Sequence, residues 1–75
     1  MNAILRRKGN EWVYVSATKT LEDAIEMARK VLFAIYVDGY VDKEDKDWYD
    51  EEFERQVNAG NGIWIDDLIK IEEWE

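Results

Sequence analysis

The sequence predicts an α+β domain: an antiparallel sheet of three to four strands, one long helix on one face of it, and a short acidic helix. Three patterns carry that expectation. Residues 3–8 and 11–17 are strand-like runs separated by Gly9-Asn10, which suits a tight two-residue hairpin turn. Residues 20–38 are the longest stretch with apolar residues at helical spacing. Residues 62–75 return to alternation, with Ile63, Ile65, Ile69 and Ile71 on one parity and Trp64, Lys70, Glu72 and Trp74 on the other.

In the hairpin, a two-residue loop places Lys8 opposite Glu11, Arg7 opposite Trp12, Arg6 opposite Val13, Leu5 opposite Tyr14 and Ile4 opposite Val15. Ile4, Val13 and Val15 are then expected to face the helix. Leu5, Arg7, Trp12 and Tyr14 share the other side, where an arginine can stack on Trp12. Long side chains or the C-terminal segment are expected to cover that aromatic side; a contact surface is the alternative.

Leu21, Ala24, Ile25, Ala28, Leu32, Ile35 and Tyr36 form the buried face of the long helix. Thr20 is placed as its N-cap, with Asp23 completing a capping box, and Gly39 ends it. Ser16 and Thr18 belong to the approach to the helix, where hydroxyls make turns and caps. From Val31 to Val37 the helix is apolar all round, so it needs cover on every side. Intramolecular cover is expected, and a homodimer is the alternative.

The short helix is expected over Trp48 to Ala59, capped by Asp45 or Asp47 and ended by Gly60-Asn61-Gly62. Tyr49, Phe53 and Val57 make a stripe that can dock, which leaves Asp50, Glu51 and Glu54 mostly toward solvent. Asp66-Asp67 either bulges the last strand or turns it into two short ones.

Seventy-five residues make one domain, and a chain of this size buries only about 60% of its unfolded surface. Four tryptophans, four tyrosines and two phenylalanines offset that, because aromatics bury the most area per residue. There is no cysteine and no histidine. Disulfides and thiolate-bound metals are therefore excluded, and the commonest general base and zinc ligand is missing. The opening residues show no signal-peptide pattern, and no window approaches the roughly 20 apolar residues of a membrane span. The expected location is the cytoplasm, or a host's cytoplasm if a phage encodes the chain.

Net charge is −8, and it is concentrated: residues 38–54 carry −7 and the rest of the chain −1. Such a chain should avoid nucleic acid and anionic membranes and attract basic proteins. Arg6, Arg7 and Lys8 make only a small basic patch against that background. The order Asp42-Lys43-Glu44-Asp45-Lys46-Asp47 does not fit an EF-hand loop, since no register supplies the oxygen ligands together with the required glycine and terminal glutamate. Asp66, Asp67, Glu72 and Glu73 read as solvated surface. No phosphate-cradling glycine loop is present, and carboxylates are too abundant for any pair to signal a glycosidase. No enzymatic activity, cofactor or metal is expected.

A binding function remains. Duplex DNA carries one charge per about 1.7 Å of its axis, and closely set carboxylates can occupy a groove of lysines and arginines meant for phosphate. The partner-binding candidates are Asp42, Glu44, Asp45, Asp47, Trp48, Asp50, Glu51 and Glu54. Of Trp48 and Tyr49, one is expected to hold the segment to the core and the other to face a partner. In small size, acidity, aromatic content and lack of catalytic residues the chain resembles phage anti-defence proteins of the anti-CRISPR type. That resemblance is one of general character, carried by no motif and by no aligned residue. It implies a nuclease or surveillance complex as the partner. The competing expectation is a structural or regulatory interaction module, binding through the aromatic hairpin side or the apolar end of the long helix.

Overall fold

A computed structural model describes residues 1–75. In chain order the elements are β1 (Asn2–Lys8), β2 (Glu11–Thr18), α1 (Leu21–Val37), α2 (Lys46–Ala59), β3 (Trp64–Ile65) and β4 (Ile69–Glu73). The four strands form one antiparallel sheet in the order β2-β1-β4-β3. The expected α+β architecture is the observed one. The Asp66-Asp67 segment is a turn, so the C-terminal run makes two short strands. β1 is central because the C-terminal strand returns beside it, and the Met1 amine and carbonyl both bond the Trp74 backbone.

The hairpin register holds from Lys8–Glu11 to Leu5–Tyr14 and then slips: Ile4 pairs with Ser16, not Val15. An extra residue bulges β2 at that point and resets its parity. The expected helix-side trio is corrected with it. Ile4 is fully buried, but Val13 and Val15 remain exposed. β2 is an edge strand, and one helix does not roof the whole width of the sheet.

Thr20 caps α1, its hydroxyl accepting the Asp23 amide at 3.2 Å; the reciprocal half of the capping box is absent. Thr18 Oγ1 donates to the Thr20 carbonyl at 2.7 Å and steadies the approach. Gly39, at φ 78°, closes the helix: its amide bonds the Tyr36 carbonyl, and the Tyr40 amide bonds the Ile35 carbonyl. These two bonds are the pair that ends a helix through a left-handed glycine. Ala24, Ala28, Val31, Leu32 and Ile35 are buried on the sheet, and Leu21, Ile25 and Tyr36 are half-buried beside them.

α2 begins two residues earlier than expected. Asp45 occupies the N-cap position with αR backbone and makes no side-chain cap bond. A capping side chain reaches the helix amides from extended backbone, whereas here a turn closed by Asp45 N–H to the Asp42 carbonyl runs straight into the helix. The stripe docks as expected, with Phe53 2% exposed and Tyr49 and Val57 packed against the core. One stripe covers one flank of α1. Phe33, Ala34 and Val37 therefore stay exposed, at 66% for Phe33 and 69% for Val37, and full intramolecular cover of the apolar half of α1 is not achieved.

The basic tripeptide does not form a patch, because strand alternation sends its neighbours to opposite faces. Arg6 is buried with its guanidinium 5.0 Å from the Tyr40 ring and 3.6 Å from Asp38, leaving Nε and Nη2 without partners. Arg7 lies over Trp12 at 5.3 Å. At the opposite edge the Gln56 amide donates to the Trp64 carbonyl at 2.9 Å and accepts the Trp64 amide at 2.6 Å. One side chain thus occupies the free edge of β3 as a further strand would.

Gln56→Ala should lower the unfolding free energy by about 1–2 kcal/mol and speed exchange of the Trp64 amide, measured by denaturant unfolding and hydrogen exchange. Arg6→Met keeps the volume and removes two unpaired buried donors. Its unfolding free energy should be unchanged or raised by about 1–4 kcal/mol in the same assay.

Candidate functional site

The candidate acids divide into two groups once the helices are in place. α1 and α2 run antiparallel, with Arg29 meeting Glu54 at one end and Tyr36 meeting Asp50 at the other. Arg29 Nη2 donates to Glu54 at 3.2 Å, and its guanidinium lies 5.2 Å from the Phe53 ring centre. The Tyr36 hydroxyl donates to Asp50 at 2.8 Å, and Lys46 reaches the same carboxylate at 3.6 Å. Glu54 is exposed as expected and Asp50 is half-buried, and both also tie α2 to α1. Their helical offset from Phe53 points them sideways at the neighbouring helix.

Asp42, Glu44, Asp45, Asp47 and Glu51 are exposed and have no intramolecular cation. The other four of the nine acids in residues 38–54 are paired: Asp38 with Arg6, Asp50 with Lys46, Glu52 with Arg55 and Glu54 with Arg29. The unpaired set runs through the loop before α2 and onto its outer surface. Trp48 sits among them, 59% exposed, with its ring edge-on to Tyr49 at 5.0 Å. Tyr49 is the half-buried partner of the two, donating to Asp67 at 2.6 Å.

Two phenols respond to these carboxylates. Burial, followed by the bond to Asp50, raises Tyr36 well above the ordinary phenol range. The bond to Asp67, followed by burial, pushes Tyr49 up to about 12. The Arg55 and Gln56 donors hold Glu52 down to about 2. No three carboxylates converge closely enough to hold a metal ion.

Between α1 and α2 lies an open groove of about 250 Å³, lined by Leu32, Phe33, Tyr36 and Phe53 and closed at its ends by the Arg29–Glu54 and Lys46–Asp50 pairs. Sequence reading missed this groove, because it exists only where two helices meet. The signal that could have found it was the apolar excess of Val31–Val37 over what one short helix can cover.

The open face of the sheet is the second surface with functional character. Tyr14, Leu5, Lys70 and Trp64 form one row across all four strands. Lys70 is buried with its ammonium 4.5 Å from the Trp12 ring centre and 4.8 Å from that of Trp64, and it also contacts Glu72 at 3.2 Å. Trp74 stacks on Tyr14 at 5.6 Å. The C-terminal segment therefore covers part of this face, as expected, while Tyr14 and Trp64 remain more than half exposed.

The raised phenols carry a sign. Their stabilising contribution is complete below the unfolded phenol value of 10 and is lost as pH rises through the folded values. Titration followed at 295 nm should show two phenols ionising late, with unfolding free energy falling above pH 10. Tyr49→Phe should remove one of the two late steps.

No helix in the structure is long and apolar enough to cross a membrane. Comparison with protein-family models, with curated proteins and with solved structures finds no match.

Proposed function

We propose that this chain is a non-enzymatic binding protein whose acidic segment occupies a basic, nucleic-acid-binding site on a protein partner and excludes the nucleic acid from it. The observation that carries the reading is the unpaired, exposed set Asp42, Glu44, Asp45, Asp47 and Glu51, gathered within ten residues on a chain of net charge −8. Carboxylates without internal cations keep their full attraction for a partner's lysines and arginines, and they steer the encounter. Trp48, exposed among them, supplies an aromatic anchor of the kind that dominates interface energetics. The likeness in general character to anti-CRISPR proteins directs the first search for a partner to Cas nucleases and surveillance complexes.

A second reading has its own observation. The open sheet face presents Tyr14 at 54% and Trp64 at 53% exposure, side chains that a regulatory or structural module uses to bind a protein. The two readings differ in salt response, since charge contacts are screened and apolar ones are not.

Fluorescence anisotropy of labelled duplex DNA on a panel of Cas effectors and other nucleic-acid-binding proteins tests the first reading. The chain should release the DNA at low salt and lose potency steeply between roughly 50 and 200 mM. Reversal of Asp42, Glu44, Asp47 and Glu51 to lysine should raise the half-inhibiting concentration by about tenfold or more with unfolding unchanged. Potency that survives both changes would move the site to the tryptophan-bearing sheet face.

A further inference from the structure

A second concavity lies where α2 meets β3 and the turn that follows it. It has a volume of about 250 Å³ and is lined by Trp48, Glu52, Trp64, Ile65, Asp66 and Asp67. Two of the four tryptophans thus border one cavity, and both are more than half exposed, Trp48 at 59% and Trp64 at 53%. Every charged residue in the lining is a carboxylate. Asp66 and Asp67 are exposed and have no cation of their own. Their hydrogen bonds come from neutral donors: the Trp64 indole N–H donates to Asp66 Oδ1, and the Tyr49 hydroxyl donates to Asp67 Oδ2 at 2.6 Å. Each carboxylate therefore keeps its charge and a second oxygen without a partner in the chain. Two cations touch the walls from outside the cavity, Arg55 on Glu52 and Lys70 at 4.8 Å from the Trp64 ring centre, and Lys70 is itself paired with Glu72. The groove between α1 and α2 has its charges balanced within its own lining; this cavity does not.

We infer that this cavity receives the guanidinium of a single arginine side chain of the protein partner. Indole faces attract a cation, and the Trp64 ring already draws the Lys70 ammonium on the open side of the sheet. Unpaired carboxylates favour a cation over a neutral polar group. Between the two cationic side chains, a planar guanidinium stacks on an indole while its five donors fork onto separate oxygens; an ammonium is a compact point with three. The unpartnered oxygens of Asp66 and Asp67 beside two indoles fit the guanidinium. The volume is below the roughly 300–1,000 Å³ of clefts that enclose a drug-sized molecule, so one side chain is the scale of the occupant. Trp48 also neighbours the unpaired acids, with Asp47 beside it in the chain and Glu51 three residues along the helix. The inference deepens the acidic reading, from which it takes only that the partner is a basic protein.

The test uses three capped tripeptides with glycine on either side of arginine, lysine or citrulline, the last a neutral isostere of arginine. Amide and indole N–H shifts of the labelled full chain are followed during titration at low salt. The arginine peptide should shift the indole signals of Trp48 and Trp64 and the amides of Asp66 and Asp67, and leave those of Leu32 and Phe33 in place. The citrulline peptide should bind about tenfold more weakly, and the lysine peptide about threefold more weakly. Asp66→Asn with Asp67→Asn keeps the shape and both hydrogen-bond acceptors, and should weaken the arginine peptide about tenfold with unfolding unchanged. Trp48→Ala, at an exposed position, should weaken it separately. Equal binding of the arginine and citrulline peptides, equal binding of the arginine and lysine peptides, or silence of both variants would overturn the arginine site, while displacement of DNA from a partner would keep the acidic reading. Arginine-specific shifts at Trp48 and Trp64, with no DNA displaced from any partner, would support the cavity and sink the acidic reading alone.

Discussion

The structure depends on how closely α1 can lie on β1 and β4. Ala24 and Ala28 are fully buried at the contact, and residues without long side chains let the helix backbone approach the sheet. Ile4 and Ile69 meet the helix from neighbouring strands, while Leu32 and Ile35 carry the contact toward its C-terminal end. A larger side chain at Ala28 would lift the helix and open voids under all of these at once. With α1 seated there, its flank becomes a wall, and Phe53 fills the space between that wall and the isoleucines of β3 and the turn before it.

That wall also sorts the acids. Arg29, Tyr36 and Lys46 lie where they neutralise or hydrogen-bond Asp50 and Glu54, so part of the negative charge is spent holding α2 in place. Exposed ion pairs contribute little individually, and the larger part of that attachment is the burial of Phe53. The five carboxylates left without cations lie close in the chain to Lys43 and Lys46, of which Lys46 pairs with Asp50.

The sheet manages its two edges and its open face unequally. Gln56 seals β3, whereas β2 remains an open edge interrupted by its bulge. On the open face, the two indoles around Lys70 shelter the alkyl stem and the ammonium together. Arg6 is the counterexample on the other face. It is buried as deeply, yet two of its nitrogens have no acceptor, so it contributes less than its burial suggests.

The sequence by itself determined what depends on neighbours in the chain. Alternation and helical spacing placed both helices and the strands, Thr20 and Gly39 set the ends of α1, Gly9-Asn10 set the hairpin register near its turn, and the Tyr49, Phe53 and Val57 stripe chose the docking face of α2. Local periodicity suffices there because each feature is decided within a turn or two of chain. The tertiary structure alone decided the bulge at Val15, the burial of Arg6, the edge cap by Gln56, and the pairing of Asp38 with Arg6 and of Glu54 with Arg29. Asp50, Glu51 and Glu54 are alike by composition, and only the position of α1 distinguishes the two that meet a partner from the one that does not. The groove belongs to the same class: its walls, Leu32, Phe33 and Tyr36 on one side and Phe53 on the other, come from segments about twenty residues apart.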